Sequence, residues 1–131
     1  MQQNFRESLT EDCPPDDADE INEPRVVFRL ASHNPPTDDD FRSQRVEHPN
    51  RAFRNVSECV ARGLSVHSDF RTSENLLKLP HMRRRGMMVC QVVLDAGAGY
   101  IQQTGRDRHH HTWWPFASYD ILDHCSVGEA Q

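Results

Sequence analysis

The chain lacks any apolar run approaching the ~20 residues that a membrane span needs, and no apolar core for a secretory signal follows its N-terminus. It has no Gly-rich phosphate loop, no GxSxG elbow, no recognised nucleic-acid module and no internal repeat. A membrane protein, a P-loop enzyme and an α/β-hydrolase signature are therefore not expected, and nucleic acid is not indicated as a partner. No CxxC pair is present either. The four cysteines (Cys13, Cys59, Cys90 and Cys125) lie more than thirty residues apart. Cys59 and Cys90 fall inside apolar periodic segments, so all four are expected to be free thiols of a reducing cytoplasm.

At 131 residues the chain is long enough for one domain and a tail. Its charge is uneven. Residues 1–24 hold one basic residue, Arg6, against eight acidic ones, a net of −7. The whole chain is −5, so residues 25–131 carry +2 and are close to neutral. Residues 1–23 hold few large apolar groups and the Pro14–Pro15 pair, too little to offset ordering entropy. They are expected to form a disordered acidic tail, either a solubilising leader or a segment that folds back on a basic surface of its own domain or of a protein partner. A single domain is expected over 24–127 and a second short tail over 128–131.

Apolar periodicity outlines the domain. Residues 25–31 read as a strand with Val26, Phe28 and Leu30 on its apolar face and Arg29 on the other. Residues 32–40 are loop. Phe53, Val56 and Val60 follow helical spacing after Pro49 and Asn50, and Gly63 sits where a left-handed cap is expected. Residues 64–68 alternate with period two, as a half-buried strand does. Thr72 or Ser73 then caps a short helix that Pro80 stops. Residues 87–94 are the most apolar run and read as a central strand buried on both faces. Ala96 to Gly99 form a tight connection to a strand at 100–103, and 118–124 is a short helix or a last strand. The expected class is α+β, a mostly antiparallel central sheet with two short helices.

Chemistry concentrates at 104–115, which packs His109, His110, His111, two arginines, Asp107, Trp113 and Trp114 between Gly105 and Pro115. A histidine here can act as acid or base near neutral pH. No standard ligand spacing is present, so no metal is expected. The plainer reading is an ordinary polar loop whose tryptophans pack the core. Ser65, His67 and Ser68 lie on or beside the polar face of their strand, which also fits a simple solvent face. Arg83, Arg84 and Arg85 can clamp phosphate through their guanidinium groups, or form a solvated turn.

The strand at 25–31, the long loop, the helix and then Gly63-Leu64-Ser65-Val66-His67-Ser68-Asp69 resemble the front half of the ADP-ribosyltransferase-like fold. The resemblance implies an NAD-type substrate, with Arg29 contacting the nucleotide and Ser65 near the nicotinamide. The Ser-Thr-Ser triplet of that family is absent, and no glutamate stands at its third motif. A histidine of 109–111 or Tyr119 takes that place. The expected catalytic residues are Ser65, His67, His110 and His111. Arg29, Ser65, Trp113 and Arg84 are the expected nucleotide contacts, and the reaction is ribosyl transfer or hydrolysis. The alternative is a non-catalytic interaction module that uses the acidic tail and the Trp/His-rich loop.

Overall fold

A computed structural model describes residues 4–127. Among these, seven strands form one antiparallel sheet: β1 Asp19–Glu20, β2 Arg25–Ala31, β3 Leu64–His67, β4 Met88–Leu94, β5 Gly99–Gln103, β6 His110–Pro115 and β7 Cys125–Val127. Their spatial order is β1-β5-β6-β3-β2-β4-β7. Four short helices are present where two were expected: α1 Gln44–Glu47, α2 Glu58–Ala61, α3 Phe70–Leu76 and α4 Pro80–Arg85. The mixed α and β class and the antiparallel sheet follow the sequence pattern. No helix among the described residues is long and apolar enough to cross a membrane.

Local chemistry sets where three of the helices begin and where α4 ends. Ser57, not Asn50, caps α2, its hydroxyl accepting from Val60 N. Asp69, not Thr72 or Ser73, caps α3 and accepts from Thr72 N at 3.1 Å. Pro80 does not merely stop a helix but opens α4, where its missing N–H is no loss. The left-handed glycine cap is Gly86, at φ 67°, and not Gly63. Gly63 is needed for space: a Cβ there would strike the Thr112 methyl and the Trp114 ring.

One face of the sheet carries the core. Val27, Ala31, Leu64, Val66, Cys90, Val92, Leu94, Ile101 and Trp113 are buried there with Phe41, Tyr119 and Ile121. The β2–β4 register sets Val27 opposite Val92 and Arg29 opposite Cys90. The faces of β2 are therefore reversed from the expectation: Val27, Arg29 and Ala31 look into the core. Val26 is 42 % exposed, and Phe28 meets Phe70 of α3 edge-on at 5.8 Å. The run at 88–94 is a strand, but it lies next to the edge, and its Gln91 is exposed.

Residues 4–23 are not a disordered tail. The segment folds back along the sheet and is held at several points. Arg6 N donates to Pro115 O at 2.9 Å and Ala117 N to Asn4 O at 2.7 Å. The Glu7 carboxylate takes Ser43 N and its hydroxyl, and Arg62 donates to Ser8 O. Further along, β1 pairs with β5 and Ile21 is buried. Cys13 and Cys59 form a disulfide across 46 residues with Cα atoms 5.4 Å apart, so these two are not free thiols. Composition alone could not reveal this, because the anchors are a few specific groups within a polar segment. Cys90 is free and buried, as expected, and Cys125 is free and half-buried. The tail expected at 128–131 lies outside the described residues, as do residues 1–3.

Candidate functional site

Strands β3 and β6 bring the polar residues of two distant segments into register. Ser65 lies opposite Thr112 and His67 opposite His110, and paired residues of antiparallel strands share a face. This face is the one turned away from the main core. Ser65 is exposed at its surface, and its Oγ is 2.9 Å from His110 Nε2. On the far side of that ring, Nδ1 is 3.0 Å from both the carbonyl oxygen and the hydroxyl of Thr104. The Thr104 hydroxyl continues to Thr112 Oγ1 at 2.7 Å.

The partners fix the tautomer. A carbonyl oxygen only accepts, so His110 Nδ1 carries the hydrogen and Nε2 presents a lone pair. The Ser65 hydroxyl donates to that lone pair. A hydroxyl, a base and a group orienting the base thus stand in line, the geometry that activates a nucleophile or holds a water.

His67 lies beside this line. Its ring meets that of His110 edge-to-face at 5.7 Å, and Nδ1 is 2.8 Å from the Ser73 hydroxyl of α3. Burial pushes its pKa down to about 4, with the nearby His110 a further cause, so the ring is neutral at pH 7. A third imidazole sits at the strand end, where His109 Nδ1 is 2.9 Å from Ser68 Oγ and Nε2 is 4.0 Å from Asp69.

Compared with models of known protein families, with curated proteins and with solved structures, the chain matches none. The site is therefore read from its geometry alone.

Four expected contacts are not part of it. Strand β2 does adjoin β3, but Phe28 is the residue paired with His67, so Arg29 projects from the opposite face to Ser65. Its guanidinium is held by three backbone carbonyls: Nε donates to Asp40 O at 2.9 Å, Nη1 to Ser65 O at 2.7 Å and Nη2 to Arg42 O at 3.0 Å. Burial lowers its pKa to about 10, which leaves it charged. Arg29 therefore ties the 40–43 loop to the sheet, on the face opposite Ser65. Trp113 is fully buried in the core, with its indole N–H on Ala98 O at 3.0 Å, and cannot stack on a ligand. His111 follows His110 in the strand and so faces the other way, where Nδ1 donates to His109 O and burial lowers its pKa. Arg84 is exposed in the last turn of α4 and has no ion pair among the described residues.

Sequence reasoning missed Thr104, Thr112 and Ser73. Thr112 was accessible from period-two alternation with His110. Thr104 and Ser73 become neighbours only through tertiary structure. Among the described residues no three His, Cys, Asp or Glu side chains gather as a metal shell. A cleft of about 810 Å³ under the N-terminal segment is lined by Glu7, Glu11, Asp16, Glu20 and aromatic rings, with no basic residue, and would repel a pyrophosphate.

Proposed function

We propose that this chain is an enzyme of the transferase or hydrolase type, with Ser65 as its reacting or water-orienting hydroxyl and His110 as the base. One observation carries the reading: Ser65 Oγ lies 2.9 Å from a His110 Nε2 whose ring is oriented by the Thr104 carbonyl at 3.0 Å. An adjacent, correctly protonated imidazole raises the nucleophilicity of an otherwise weak hydroxyl. The NAD-type nucleotide implied by the resemblance keeps Ser65, His67 and His110 but loses Arg29, Trp113 and Arg84 as anchors. It is therefore one of two substrates to offer, beside an activated aryl ester. The interaction-module reading has less support. Both tryptophans are buried and the acidic segment is bound to its own domain. The disulfide favours an oxidising compartment over the cytoplasm.

The test is turnover of NAD and of p-nitrophenyl acetate by the purified chain. Ser65→Ala and His110→Gln are each expected to lower the observed rate at least ~100-fold while circular dichroism stays unchanged. Absence of turnover of both compounds, or full activity in Ser65→Ala, overturns the proposal.

A further inference from the structure

His67 is 93 % buried, yet one of its two ring nitrogens has no hydrogen-bond partner among the described residues. The tautomer follows from Ser73. That hydroxyl is fully buried in α3, and its single partner is His67 Nδ1. A buried hydroxyl without an acceptor is penalised, so Ser73 donates and Nδ1 accepts. The hydrogen of His67 then resides on Nε2. No sealed side-chain nitrogen or oxygen among the described residues is unpartnered, so Nε2 is not sealed from solvent. Two imidazoles on directly opposed strand positions thus hold opposite tautomers: His110 presents a lone pair, and His67 an N–H.

We infer that His67 Nε2–H is the donor that binds the oxyanion formed when Ser65 attacks a carbonyl, and that the substrate is an acyl compound of ester type. The inference rests on the Ser65–His110 reading above. In the step, Ser65 Oγ bonds to the carbonyl carbon as its proton passes to His110 Nε2. The carbonyl π pair moves to oxygen, where His67 Nε2–H meets it. Collapse of the intermediate expels the leaving group, which takes the proton from His110. Water then repeats the sequence and releases the acid. A neutral imidazole is the right donor, because it keeps its own proton while stabilising the charge. The low pKa of His67 agrees with that role.

The experiment pairs kinetics with imidazole NMR on the whole chain. Long-range 1H–15N spectra are expected to report Nε2–H for His67 and Nδ1–H for His110. Titration with phenylboronic acid, which forms a tetrahedral adduct on a reactive serine, should shift the His67 Nε2–H resonance in the wild type and not in Ser65→Ala. With p-nitrophenyl acetate, His67→Phe should lower kcat ~100-fold and change KM little. An Nδ1–H tautomer at His67, no boronate shift at His67, or an unchanged kcat in a folded His67→Phe overturns the inference. Should His67→Phe fail to fold, the wild-type tautomer and boronate shift decide. Ser65→Ala separates the two levels. If it retains turnover, the serine reading fails. If it is dead while His67→Phe is fully active, the His67 assignment alone fails.

Discussion

Acidification should destabilise this fold through His67 among other groups, and the part due to His67 can be isolated. Its ring is held neutral by burial, with a folded pKa near 4 against the ordinary value of 6.5. Protons therefore bind the unfolded chain and not the folded one between those two values. Stability rises with pH where the unfolded state binds more protons, so this contribution is complete above about pH 6.5 and is lost progressively as the pH falls toward 4. At about 1.4 kcal/mol per pH unit, the interval corresponds to ~3 kcal/mol as an upper value. His110, Asp107, Asp69 and Arg29 also bear on this ring, and carboxylates elsewhere lose stability at lower pH. The assay is thus a difference: urea unfolding of wild type and His67→Phe at half-unit steps from pH 4 to 7.5. The variant carries a constant penalty from the unpaired Ser73 hydroxyl, so the slopes are compared and not the absolute values. The wild-type curve should fall more steeply, by ~2–3 kcal/mol across the window. Parallel curves would mean that His67 takes up a proton in the folded state without penalty, and the burial argument would fail.

Three further outcomes follow from the geometry. Thiol labelling of the denatured chain without reductant should count two cysteines, Cys90 and Cys125. Cys13→Ser should lower stability by ~2–4 kcal/mol, since the bridge spans 46 residues; a count of four would refute the disulfide. Arg29→Met strips three backbone carbonyls of their donor and should cost ~2–4 kcal/mol by chemical denaturation, whereas a loss of ligand affinity at unchanged stability would restore Arg29 as a ligand contact. Gly63→Ala should destabilise by ~1–3 kcal/mol from overpacking against Thr112 and Trp114; a thermal scan identical to wild type would contradict that packing.

Period-two alternation located the strand near 64–68, an almost unbroken apolar run the strand at 88–94, and the small-residue connection at 96–99 the strand that follows it. Alternation failed to orient β2, whose alternating residues are apolar on both sides. Which side faces the core was decided by the Val27–Val92 register and by the loop that clamps Arg29. Helical spacing misled at α2, where the apolar pattern from Phe53 yields only the turn that Ser57 caps. The N-terminal segment defeated composition for a different reason. A disulfide, a two-residue strand and a handful of directed hydrogen bonds hold it, and none of these needs many apolar residues.

The site was legible in part for the same physical reason. Ser65, His67 and His110 each occupy a polar position of an alternating strand, so their shared face follows once β3 and β6 are neighbours. Their roles do not follow, because identical imidazoles become different reagents only through what lies behind them. Behind His110 is the Thr104 carbonyl, a backbone group that no substitution removes, so the basic Nε2 is built into the β5–β6 connection. Behind His67 is a side-chain hydroxyl on α3, and that tautomer depends on a single residue. Ser73→Ala should therefore free His67 Nδ1 to carry the proton in part of the population while leaving His110 unchanged. The imidazole spectrum should register a mixed His67 signal beside an unaltered His110 Nδ1–H. An unaltered His67 in that variant would mean that Ser73 does not select its tautomer, and the assignment of opposite roles to the two rings would lose its physical basis.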